Sequence, residues 1–123
     1  MNYYQIKILY RSTKDGDSYK DFHNKVDNKG ETITLFKTIK NRKFGGHISK
    51  SWSSSGNWQC KESSYFLFSL NEKKCYKDKN NYLYNNKQFY CNSNCGPLFH
   101  GGSGYLGISF AKLLLGKLQL LSK

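Results

Sequence analysis

The chain opens on an alternation. In YYQIKILYRS the apolar residues Ile6, Ile8 and Tyr10 stand against Lys7 and Arg11, the period of a strand with one face buried. KDGDS follows and is a turn by composition. Ser18 and Asp21 then have capping-box spacing, with Asp where Glu is usual, and Tyr19, Phe22, His23 and Val26 repeat at helical intervals. A short amphipathic helix is expected over residues 19–28, with Gly30 at its stop.

Beyond Gly30 the period returns to two. ETITLFKTI is β-branched and alternating, with Ile33 and Leu35 on one face, and RKFGGHIS reads as its hairpin partner across a loop at Lys40 to Arg42. SSYFLFSL is a near-continuous apolar run, the pattern of a central strand buried on both faces. Short strands are expected near residues 74–77 and 87–91, separated by the polar loop KDKNNYLYNN. Many short strands with turn signals and one clear helix predict a mainly-β, α+β fold: an antiparallel β-sandwich with one or two short flanking helices. There is no internal repeat.

At 123 residues the chain is long enough for one domain and its core. Aromatics make up 16% of it, with ten Tyr and eight Phe, so the core is expected to lean on rings. The formal net charge of +12 favours anionic partners, nucleic acid or an acidic membrane surface among them. Against that, Arg11 and Arg42 are the only arginines, and the lysines are scattered instead of gathered. The Lys, Asn, Tyr and Phe excess reads as the codon bias of an AT-rich genome, so nucleic-acid binding is the secondary reading. MNYYQIKILYRS lacks the apolar run of a secretory signal, and no stretch approaches the roughly 20 apolar residues of a membrane span. A cytoplasmic protein is expected, with reduced thiols. Of Cys60, Cys75, Cys91 and Cys95 only the last two have a zinc-like spacing, and one pair is too few for a structural zinc site. No metal or cofactor is expected.

Catalytic signatures are weak. SWSSSGN is not the G-x-S-x-G of a nucleophile elbow, GGHIS lacks the Lys and Ser/Thr of a phosphate loop, and HGGSG resembles an esterase oxyanion loop without an elbow beside it. His23, His47 and His100 could act as bases with Asp15, Asp21 or Asp27 orienting them, but such combinations arise by chance in any polar chain. No enzyme is expected.

Four ordered blocks carry a family resemblance over residues 9–102. LYRSTKDGDSYKDFHNKVDNKGETITLFK holds a Tyr-Arg-x-x-x-Asp-Gly turn (Asp15, Gly16), a Phe-His helix (Phe22, His23) and a Thr-rich strand. FGGHISKSWSSSGNW supplies Phe44, Gly45, Gly46, Ser51 and Trp52. SYFLFSL supplies Phe66 and Phe68, and FYCNSNCGPLFHGG supplies Cys91, Gly96, Pro97 and Phe99. Together they resemble the TLDc domain. The resemblance implies a β-sandwich flanked by short helices, with no established catalytic site. It also implies a protein-interaction module linked to oxidative-stress resistance, with the vacuolar proton-pumping ATPase as a partner. Val26, Glu31 and Cys95 stand where the family commonly has Cys, Pro and an aromatic.

On this reading Gly45 and Gly46 allow a bend or a close approach, Trp52 plugs the core, and Ser53 to Ser55 turn the chain; the serine run is architecture. Residues 103–123 form a divergent tail that does not resemble the family's closing strands. An incomplete, poorly soluble domain is expected, unless Leu113, Leu114, Leu118 and Leu121, near helical spacing, dock over the open face.

Overall fold

The computed structural model describes residues 7–38, 40–59, 64–77, 88–100, 105–107 and 117–122. Among the described residues ten strands and two short helices occur in chain order. They are β1 (Lys7–Arg11), α1 (Ser12–Asp15), α2 (Tyr19–Val26), β2 (Thr32–Lys37), β3 (Lys43–Ile48) and β4 (Asn57–Gln59). Then follow β5 (Phe66–Ser69), β6 (Lys74–Lys77), β7 (Phe89–Cys91), β8 (Leu98–His100), β9 (Tyr105–Gly107) and β10 (Lys117–Ser122). A six-stranded sheet runs β1-β10-β2-β3-β5-β6 and a four-stranded sheet runs β4-β7-β8-β9, the described strands of each pairing antiparallel. This is the mainly-β, α+β arrangement that the alternating segments predict. The described residues contain no helix long and apolar enough to cross a membrane.

The first turn of the chain is tied by side chains. Asp15 accepts from the Arg11 backbone N–H at 2.9 Å, and the Tyr10 hydroxyl donates to the Gly16 carbonyl. Gly16 has φ 103°, and a Cβ there would meet the Asp21 carboxylate at 2.2 Å. That same carboxylate accepts from the Ser18 N–H while the Ser18 hydroxyl accepts from Asp21 N–H, so the capping box exists with Asp in it. The helix stops at Val26, earlier than its pattern suggests. Asp27 turns extended to bridge Trp52, and Asn28, at φ 61°, donates its N–H to the Trp52 carbonyl.

Burial and three aspartates push the Tyr10 phenol up to about 12, from an ordinary value near 10. The fold therefore favours the neutral phenol. Its contribution to stability is complete below pH 10 and is lost as pH climbs from 10 through 12. Tyr10→Phe should lower stability at pH 8 by about 1 kcal/mol, the worth of one hydrogen bond. It should also flatten the loss of stability between pH 10 and 12, read by urea melts at successive pH; an unchanged slope there would count against this account.

Between the sheets lies an aromatic core. Trp52 is fully buried and meets Phe22, Phe89 and Phe99 edge-on, at ring-centre distances of 5.8, 5.2 and 5.4 Å. From β2, Phe36 reaches Phe99 at 6.3 Å, and Tyr10 and Phe22 meet at 5.5 Å under the helix. β3 passes close to its neighbours at both glycines while its register with β2 stays regular. The close approach is thus their use here, and the sheet's register irregularity lies in β1, between Ile8 and Tyr10. The β2–β3 turn sits at the expected place, closed by Thr38 N–H to Arg42 O at 2.9 Å.

Two expectations are corrected. SSYFLFSL yields a central strand, β5, but not one buried on both faces: Leu67 points to the core while Phe66 and Phe68 are only partly covered. The tail does not lay a helix over an open face at Leu118 and Leu121. Residues 117–122 form β10, hydrogen-bonded to β1 on one side and β2 on the other. Leu113 and Leu114, Cys60, Ile6 and the loop over 78–87 lie outside the described residues.

Candidate functional site

The chemistry-bearing side chains gather at two histidines. His23, on the buried face of α2, has Nε2 2.8 Å from both the Asn92 and Cys95 carbonyls. Carbonyls only accept, so Nε2 donates, and Nδ1 sits 2.7 Å from Asp27 Oδ1. The other Asp27 oxygen takes a hydrogen bond from the Ser54 hydroxyl at 2.6 Å. The order is therefore hydroxyl, carboxylate, imidazole. A nucleophilic triad needs the imidazole in the middle, with a ring nitrogen open to the hydroxyl proton. His23 instead pins α2 to the β7–β8 connection.

His47 repeats the pattern. Nδ1 donates to the Ser64 carbonyl at 2.8 Å, Nε2 lies 2.7 Å from Glu31 Oε2, and the ring stacks on Phe66 with centres 4.8 Å apart. Glu31, one of the departures noted above, is thus this histidine's partner. The third histidine, His100, packs edge-on to Trp58 at 6.0 Å. Ser53 and Ser55 bond each other at 3.1 Å. Because Ser54 is exposed, Ser54→Ala should shift stability by less than about 0.5 kcal/mol in a denaturant melt.

Among the described residues no group of three His, Cys, Asp or Glu side chains is placed to hold a metal. Cys91 and Cys95 are buried, and burial pushes both thiols up, whereas Cys75 is exposed on β6. Thiolate is the reactive form. Native alkylation followed by peptide mapping should therefore label Cys75 first and reach Cys91 and Cys95 only on unfolding; equal labelling would contradict the burial.

The family-motif positions fall into two sets. Phe22, Trp52, Cys91, Gly96, Pro97 and Phe99 are buried, and Gly46 faces Phe99, where a Cβ would lie 2.6 Å from the ring. Phe44 stacks on Phe36 at 5.4 Å, and Ser51 Oγ accepts from the Gly30 N–H at 2.8 Å. Asp15, Gly16 and His23 hold the helical corner together. Gly45, Phe66 and Phe68 belong instead to the outer face of the six-stranded sheet. There Phe66 and Phe68, with Ile33, Leu35 and Cys75, line an apolar groove of about 530 Å3 open to solvent. The sequence hides this groove because a strand exposed on one side and one buried on both read alike when every residue is apolar.

The blocks that build this frame are matched by the TLDc domain model over residues 1–117 of the chain. The chain belongs to the TLDc family. Comparison with curated proteins found no match. In this TLDc domain the helical corner, the Gly-Gly strand and the Gly-Pro connection converge on the core around Trp52, while Phe66 and Phe68 of the Phe-Leu-Phe-Ser-Leu strand turn outward.

Proposed function

We propose that this TLDc domain is a non-catalytic protein-interaction module of the oxidation-resistance type, acting in the cytoplasm through the vacuolar proton-pumping ATPase. Family membership supports the reading. The observation that carries it is the commitment of His23 and His47: both ring nitrogens of each already face oxygen partners inside the fold, so neither offers a base to a substrate. What the described surface does offer is an apolar groove. The test is affinity capture of the tagged full chain from its own cells, with quantitative mass spectrometry. Enrichment of proton-pump subunits over a tag-only control is expected. Their absence, with nucleic acid recovered in a steeply salt-dependent way, would favour the polyanion reading instead.

A further inference from the structure

The outer face of the six-stranded sheet has a composition that folding alone does not require. On β2 the buried residues Thr32, Thr34 and Phe36 alternate with Ile33, Leu35 and Lys37, which face out. Register carries that outer face across the sheet: Leu35 lies opposite Gly45, Gly45 opposite Phe68, and Phe68 opposite Cys75, while Ile33 leads through His47 to Phe66. The tip of the Phe68 ring lies over Gly45, 2.8 Å from where a Cβ would stand, and Ile33, Leu35 and Phe66 stand around it on the same face. The result is the groove of about 530 Å3 described above. It crosses four strands, about 14 Å at the usual strand spacing, or between two and three turns of a helix. Small-molecule sites of this volume carry a few converging polar groups to fix the ligand's orientation. Here the polar lining is confined to Ser69 and the lysines of the rim.

The rim is basic. Lys37 and Lys43 stand directly opposite each other on this face. Like charges facing each other across a strand pair are unfavourable. Lys73 and Lys74 line the groove beside β6, and Lys77 continues the edge on the same face as Phe66. None of Lys37, Lys43, Lys73, Lys74 and Lys77 has an ion pair among the described residues. Of the carboxylates near the rim among the described residues, Glu31 faces His47 and Glu72 accepts from the Tyr76 hydroxyl at 3.0 Å.

We propose that this groove binds an amphipathic helix of a partner protein, its apolar ridge seated on Ile33, Leu35, Phe66 and Phe68 and its acidic flanks on the lysine rim. The occupant's chemistry follows from complementarity: an apolar ridge for the trough and carboxylates for lysines that have no ion pair among the described residues. The proposal rests on the interaction-module reading and gives it a surface.

The test uses the full chain and fluorescence anisotropy with two labelled probes, a designed leucine-ridged helix flanked by glutamates and its lysine-flanked counterpart. Vesicles of phosphatidylcholine with and without phosphatidylserine form a separate arm. The glutamate probe should bind and the lysine probe should not. Exposed Lys73→Glu with Lys74→Glu should weaken binding about tenfold or more at low salt. Lys43→Glu should also weaken it while leaving the thermal midpoint unchanged or raised, since it relieves the facing lysines. Phe68→Ser should weaken it at high salt too. Equal binding of both probes, no binding of the glutamate probe, or indifference to all the variants would overturn the proposal. So would variants that lose phosphatidylserine vesicles but keep the peptide, which would make the face membrane-directed. Should the lysine variants still capture the same cellular partner as the parent chain, the groove is refuted while the module reading stands.

Discussion

Trp52→Ala should destabilise the domain by about 3–5 kcal/mol, the range for deleting a large buried aromatic. Domains of this size are commonly stable by only about 5–15 kcal/mol, so the variant stands near the edge of folding. The expectation rests on position. The ring is fully buried and touches Phe22 from α2, Phe89 from β7 and Phe99 from β8. Truncation leaves a cavity that rings from three separate elements cannot close without moving those elements. Trp52→Phe separates packing from hydrogen bonding. The Trp52 Nε1–H is buried with no acceptor among the described residues, so its removal sacrifices no bond. The phenylalanine variant keeps one ring in the site and leaves a smaller cavity, so it should cost about half as much as the alanine variant or less. Urea melts of both variants decide the matter, and a phenylalanine variant as damaged as the alanine one would show that the indole N–H has a partner.

Gly45→Ala should cost about 3 kcal/mol or more, at or beyond the upper end for overpacking. The added Cβ would lie 1.8 Å from the Thr34 carbonyl oxygen and 2.8 Å from the Phe68 ring. The first obstacle is backbone of the neighbouring strand, which can yield only by disturbing the β2–β3 ladder. Gly46→Ala meets a side chain instead, Phe99, at 2.6 Å, and should be the milder of the two. Parallel denaturant melts rank them; the reverse order would mean that the ladder gives way more easily than the core ring.

Much of this frame is legible in the sequence where local chemistry decides the outcome. The Ser18–Asp21 capping box, the Thr38–Arg42 turn and the alternation of β2 are set by neighbours in the chain, and the structure keeps them. Legibility fails where a distant partner decides. β4, β8 and β9 are three residues each, too short for a period to show. Phe66 and Phe68 read as core because nothing local says that one side of β5 lacks a covering layer. Leu118 and Leu121 fit a helix as well as a strand, and only the gap between β1 and β2 selects the strand. At the candidate site, His23 and His47 stood out by residue type, but their carbonyl partners at Asn92, Cys95 and Ser64 carry no side-chain signal at all.

The place of β10 has a consequence for assembly. It lies between β1 and β2, pairing Ser122 with both Lys7 and Thr32, so β1 joins the six-stranded sheet only through a strand made after all the others described. On the ribosome the β2-β3-β5-β6 ladder can zip from near neighbours, while β1 waits for a contact across nearly the whole sequence. Such distant closure is entropically slow and raises the contact order of the domain. During the wait the facing edges of β1 and β2 expose unpaired amide groups, and such open edges are the places where partly folded chains associate.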